Sequence, residues 1–159
     1  MTAVSTSVLD SLLCLDIYAT SRLMTRAYRP LLAALDLTYP QYLVMVALWD
    51  EDGRTVGNLG EILELDSGTL SPLLKRLEVA GLITRNRTRK DEREVEVRLS
   101  PVGSELQARA CQIPGDLAAL ICLSSEESAE LQRQLRALRH TIERTLSGET
   151  VSAVSGEAE

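Results

Sequence analysis

Three kinds of side chain in this sequence can do chemistry beyond packing. The first is the thiol, present as Cys14, Cys111 and Cys122. A thiol attacks electrophiles or binds metals as its thiolate. No CxxC pair occurs and His140 is the single histidine, so the ligand set of a structural zinc site is missing. Three scattered thiols are also too few for a disulfide scaffold. The second kind is cationic. Residues 75–98 hold eight basic side chains (Lys75, Arg76, Arg85, Arg87, Arg89, Lys90, Arg93, Arg98) against five acidic ones. This segment carries +3 within a chain of net charge −6, which leaves the remainder at −9. A basic segment on an acidic body is the charge pattern of a sited anion-binding surface, not of indiscriminate nucleic-acid binding. The third kind is the phenol of Tyr18, Tyr28, Tyr39 and Tyr42, a hydrogen-bond donor to an anion.

These groups need a scaffold. With 159 residues, 45% of them hydrophobic and 25% charged, the chain suits one globular domain with an extension. It has 28 leucines and no phenylalanine, so the expected core is aliphatic and mainly helical. No run of 18 uncharged apolar residues occurs, so no transmembrane helix and no membrane partner are expected. The N-terminus lacks a basic region followed by a cleavable apolar run, so a signal peptide is not expected and a cytoplasmic location follows by default. No cofactor or metal motif is present.

Residues 7–27 carry apolar positions at helical spacing (Leu9, Leu12, Leu13, Ile17, Leu23, Met24), with Ser5, Thr6 and Ser7 available as a cap. Pro30 is expected to end or kink this helix near residue 28, with 31–37 as a short helical extension. Thr38 and Gln41 form a capping-box pattern ahead of an almost wholly apolar helix, which marks it as a core element. Residues 56–63 read as a short helix. A turn follows, with Asp66 or Ser67 as cap, and then a helix over 69–79. Leu70, Leu73, Leu74 and Leu77 form the buried stripe of that helix, Pro72 lies in its first turn, and Gly81 ends it. The period then changes to two. Residues 83–88 and 94–99 read as paired strands around a charged hairpin tip, with Arg85 and Arg87 facing Glu94 and Glu96 across the pair. Helices are expected over 101–113, broken at Pro114-Gly115, then over 116–122 and 125–146. The implied organisation is a dimerisation and sensor helix over 1–37, a DNA-binding region over 38–100, dimerisation helices over 101–146 and a disordered tail over 147–159.

Two short helices, a turn and a basic hairpin make a winged helix-turn-helix, so the fold class is mainly α with a small β-hairpin wing. The second helix has the length to lie in a major groove of double-stranded DNA. Ser67, Thr69, Ser71, Lys75 and Arg76 are its candidates for base and phosphate contacts. Arg87, with Arg89, Lys90 and Arg93 at the tip, is placed to reach phosphates and an adjacent minor groove, where arginine is favoured in A·T-rich tracts.

The segment LGEILELDSGTLSPLLKRLEVAGLITRNRTRKDEREVEVRLSPVG resembles the winged-helix core of MarR-type transcriptional regulators. The KRLEVAGLI join, the Asp91-x-Arg93 pair and the closing LSPVG carry the likeness. It extends over roughly residues 9–146. It implies a homodimer with interlocked terminal helices on a pseudo-palindromic operator. The first half, LCLDIYATSRLMTRAYRPLLAALDLTYPQYLVMVALW, resembles the OhrR-like branch, whose members sense organic hydroperoxides. That resemblance implies a reactive Cys14, hydrogen-bonded by Tyr28 and Tyr39 with Tyr18 in the same pattern. It also implies Cys122 as the resolving thiol of an intersubunit disulfide. Cys111 can take that part instead.

Peroxide sensing needs a thiolate, whose attack yields sulfenic acid that a second thiol traps. Read as two turns into its helix, Cys14 lies beyond most of the helix dipole. Asp10 sits one turn before it and no cation at i±3 or i±4, so stabilisation of the anion falls to tyrosine hydroxyls. Tyr28 is 14 residues further on, about 21 Å along a continuous helix. It cannot touch Cys14 of its own chain unless the helix folds back, and it can touch that of a partner only if the two N-terminal helices run antiparallel across a dimer axis. Tyr18 is on the same face at i+4, and Tyr42 reads as packing. Three other classes stay open: a MarR-type repressor released by a non-covalent ligand, a purely structural or architectural DNA-binding protein, which the Cys/Tyr pattern disfavours, and a thiol peroxidase. The peroxidase is disfavoured because no acid/base group lies near Cys14 in sequence and His140 sits on a polar helix face.

Overall fold

The computed structural model describes residues 8–87 and 94–148, so Ser5–Ser7, the wing tip with Arg89, Lys90, Asp91 and Arg93, and the tail beyond 148 lie outside the described residues. A single 3-10 turn, Val8–Ser11, precedes α1, Leu13–Leu32. Pro30 does not end α1. The helix passes through it to the buried Leu32 and tightens into a 3-10 turn, Ala33–Leu35. Proline's φ is already helical, and one missing N–H this close to the C-terminus removes a single bond. Asp36, at φ +53°, closes the turn in the left-handed region.

Helix α2, Tyr39–Asp50, starts as the sequence requires: the N–H and hydroxyl of Thr38 both donate to Gln41 Oε1, at 2.9 and 2.8 Å. Val44, Met45 and Leu48 on α2 are fully buried, so the helix runs through the core. Its N-terminal turn meets α1 through aromatics. Tyr28 stacks on Tyr39 with ring centroids 4.4 Å apart, Tyr42 lies 5.7 Å from Tyr28, and Trp49 closes edge-on at 6.2 Å from Tyr42. Burial and the neighbouring Tyr39 and Tyr42 push the Tyr28 phenol up to about 12, and burial raises Tyr39 and Tyr42 as well.

Strand β1, Arg54–Thr55, was not legible in the sequence, being two residues long. Next come α3, Val56–Leu63, α4, Ser67–Val79, β2, Ile83–Arg87, and β3, Val95–Leu99. The antiparallel sheet has the order β1-β3-β2. Helix α4 begins two residues earlier than expected, so Pro72 sits in its second turn and not its first. Helix α5, Pro101–Ala110, stops three residues short of the expected end. Helix α6, Ile113–Ile121, takes Pro114 and Gly115 into its first turn, where proline costs no helical bond. Helix α7, Ser125–Leu146, has Ser124 and Glu127 as a capping box.

One joint holds the hairpin to the helical body. Ser100 N–H donates to the Leu82 carbonyl at 3.0 Å, Ser100 Oγ donates to the Gly81 carbonyl at 2.6 Å, and Trp49 Nε1 donates to the Gly103 carbonyl at 2.9 Å. A Cβ on Gly103 would stand 2.0 Å from the Leu82 oxygen, so only glycine lets α5 approach this closely. A second tie is Arg54, whose guanidinium meets the Ala47 carbonyl, Asn58, Asp50 and Glu51 at 2.9–3.0 Å and so links α2, β1 and α3.

The chain divides into two units, residues 1–117 and 118–159. The first holds the core just described. Within the second, α7 has no buried residue and presents Leu131, Leu135, Ile142 and Leu146 to solvent. Among the described residues, no single helix is long and apolar enough to cross a membrane.

Two outcomes follow. Gly103→Ala is expected to destabilise the fold by about 1–3 kcal/mol through forced overpacking. The readout is the midpoint of urea unfolding, and an unchanged midpoint contradicts the joint. Phenols whose folded values lie above their unfolded ones contribute stability below pH 10 that is lost as pH rises toward 12. Stability measured from pH 9 to 12 should therefore fall, and Tyr28→Phe should flatten that fall. An identical slope in the variant would refute the assignment to Tyr28.

Candidate functional site

Helix α4 is built by two opposed demands. Leu70, Leu74 and Leu77 are at most 1% exposed and anchor one face, with Leu73 beside them. The N-terminus is fixed by Asp66, which accepts from Thr69 N–H at 2.8 Å and from Thr69 Oγ1 at 2.9 Å. Those hydrogen bonds hold the Asp66 carboxyl below its usual range. An exposed polar flank runs beside the leucines. Ser67, Ser71 and Lys75 recur at i, i+4 and i+8 along about 12 Å of helix, with Thr69 and Arg76 exposed on the flanks. Thr69 departs from the expected role in one respect, since its hydroxyl already donates within the cap. Arg87 is exposed at the end of β2. Thr55, Ser67, Ser71, Leu74, Arg85 and Glu94 line a cleft of about 460 Å³ between α3, α4 and the strands. Hydroxyls, an ammonium and guanidinium groups on one surface offer donors to phosphate oxygens and base edges.

The expected cross-strand ion pairs do not form. The register sets Arg85 opposite Val97 and Arg87 opposite Val95. Arg85 instead pairs with Glu78 at 2.7 Å, and Glu96 is taken by Arg98 on its own strand at 2.7 Å.

Cys14 is exposed and is the second residue of α1, not two turns in as the sequence suggested. The chain enters through the separate turn at Val8–Ser11, and the α-helix starts only at Leu13. Cys14 therefore lies in the first turn of α1, with Asp16 beside it. Leu13, Leu15 and Ile17 around it are exposed. Tyr28 and Tyr39 are brought together but not to Cys14 of the same protomer, because Tyr28 stands about 21 Å along the same continuous helix. Tyr18 is 60% exposed, and its oxygen accepts from Arg22 at 3.1 Å.

Cys111 and Cys122 are both exposed free thiols. Cys111 donates to the Ala108 carbonyl, and Cys122 to that of Ala119. Cys122 adopts φ +53° after α6, a left-handed conformation that disfavours a side chain bearing a Cβ. The sequence reading missed Arg54, Trp49 and Glu78. The only sequence signal for Arg54 was a lone cation beside three acids; Gly103, the partner of Trp49, is 54 residues away, and Arg85, the partner of Glu78, lies seven residues on, across the turn at Gly81.

A family model described as Transcriptional regulator SarA/Rot matches residues 26–109. The organic hydroperoxide resistance transcriptional regulator of Bacillus subtilis is 46% identical over 138 residues, which span 87% of this chain and 91% of the relative. Reduced AbfR bound to DNA superposes with a TM-score of 0.74 at 33% identity, over 84% of this chain and 92% of that one. AbfR, known from Staphylococcus epidermidis, also has a disulfide form, which matches with a TM-score of 0.61 at 35% identity over 79% of this chain and 88% of that one. With its winged helix and these matches along most of its length, the chain belongs to the MarR-type winged-helix transcriptional regulators, in the OhrR-like branch.

Proposed function

We propose that this protein is a homodimeric transcriptional repressor that binds a pseudo-palindromic operator and releases it when an organic hydroperoxide oxidises Cys14. The observation that carries the reading is an exposed thiol in the first turn of α1, on a chain that also presents the polar stripe of α4. Ser67, Ser71, Lys75 and Arg76 contact bases and phosphates in this account, with Thr69 holding the cap. Arg87, Arg89, Lys90 and Arg93 serve the wing. The apolar side chains left exposed on α1 (Leu13, Leu15, Ile17, Leu23), and separately those on α7, support a partner copy, because large apolar side chains exposed in such number are unfavourable in water. In such a dimer the protonated phenols of Tyr28 and Tyr39 donate to the partner's thiolate.

The chemistry is stoichiometric. The Cys14 thiolate attacks the terminal oxygen of the hydroperoxide and the O–O bond breaks. The alkoxide takes a proton and leaves as the alcohol, and Cys14 becomes a sulfenic acid. A second thiol, Cys122 in this reading, attacks the sulfenic sulfur and water leaves as the disulfide forms. A dithiol reductant reverses it. The leucines and isoleucine around Cys14 favour an alkyl hydroperoxide over hydrogen peroxide.

The test is fluorescence anisotropy of a labelled duplex from the chain's own promoter, with about one equivalent of cumene hydroperoxide and then dithiothreitol. Release and recovery are expected for the wild type, and retained binding for Cys14→Ser. Release from Cys14→Ser by the same peroxide would contradict the sensor. Release only by a non-oxidising small molecule would favour a ligand-operated repressor. Intact mass of Cys122→Ser after oxidation should show sulfenic and over-oxidised forms, and a surviving disulfide would move the resolving role to Cys111.

A further inference from the structure

Glu78 is the single carboxylate on α4, three residues after Lys75 and two after Arg76. A negative charge on a helix that meets a polyanion lowers affinity, so its presence needs another reason. Strand geometry supplies one. Successive β2 side chains alternate faces, which puts Arg85 on the inward face with the buried Ile83 and in register with Val97, itself 0% exposed. Arg85 therefore runs toward α4. Its Nε and Nη2 both donate to Glu78 Oε2, at 3.0 and 2.7 Å. Between the two residues the backbone turns at Gly81, whose φ is +72°. The same Arg85 lines the cleft with Ser67 and Ser71. The hydrogen bonds from Arg85 hold the Glu78 carboxyl below its usual range, so the pair persists into mildly acidic solution.

Resting on the reading that α4 and the wing bind DNA, we propose that Glu78 and Arg85 are positioning residues for operator recognition. Their two-donor contact fixes strand β2 at one angle to the carboxyl end of α4. The Ser67, Ser71 and Lys75 stripe and Arg87 then meet one duplex together. This role has a sign opposite to simple electrostatics. Removing a carboxylate beside DNA tightens binding by charge alone, whereas loss of the wing angle weakens binding to the correct sequence.

The experiment compares the dissociation constants of full-length wild type, Glu78→Gln, Arg85→Lys and the double variant, each per folded protein judged by circular dichroism. The probes are a promoter duplex and a shuffled duplex of equal length and composition. Arg85→Lys keeps the charge but loses the two-donor contact. Each single variant is expected to lose about fivefold in promoter affinity with shuffled-duplex affinity unchanged or higher, and the double variant should lose no more than either single. Thermal unfolding should barely move, because a part-exposed ion pair contributes little to stability. Tighter binding of Glu78→Gln to both duplexes, or losses that add in the double variant, would overturn the positioning role. A wild type that does not prefer the promoter duplex would overturn the DNA-recognition reading and this one with it.

Discussion

Burial of the leucine face of α4 is the constraint on which the rest depends. Leu70, Leu74 and Leu77 are removed from water against a core that includes Leu59, Val97 and the apolar length of α2. Fully burying one such side chain is worth about 1.5–3 kcal/mol, so three of them fix the rotation of the helix firmly. Once that rotation is set, Ser67, Ser71 and Lys75 fall on an exposed flank of the helix, with Ser67 and Ser71 lining the cleft beside the strands. The polar stripe is thus a consequence of packing, and its row of donors is the surface available to a duplex.

Packing alone leaves the wing free to vary, and the polar ties remove that freedom. Gly103 admits α5 to the Leu82 carbonyl, Ser100 ties the same turn, and Trp49 reaches the Gly103 carbonyl from α2. Arg54 adds a link among α2, β1 and α3. Helix α2 carries the tyrosine stack at its N-terminal turn and these ties at its other end. The proposed sensing and reading surfaces therefore share one rigid element.

Much of this was legible in the sequence because periodicity reports burial directly. The all-apolar helix after Thr38, the leucine stripe of α4 and the change to period two at residue 83 each matched the structure. The misreadings turned on tertiary partners that periodicity does not report, or on where a helix starts and ends. Arg85 seemed to face acids across the hairpin, but register and the neighbouring helix gave it Glu78. Cys14 seemed deep in a helix because apolar spacing runs on from Leu9, while a separate 3-10 turn ends at Ser11 and the α-helix starts only at Leu13. Pro30 read as a stop, although one lost bond near a C-terminus is tolerated.

The central claim is that the exposed flank of α4 carrying Ser67, Ser71 and Lys75 meets the DNA backbone and bases. Its most direct test is the salt dependence of promoter binding for wild type and Lys75→Ala. The account predicts that the slope of log affinity against log salt becomes shallower by about one when Lys75 is removed, with weaker binding at every salt concentration. An unchanged slope and affinity would contradict it, and would place the DNA on another face of the molecule.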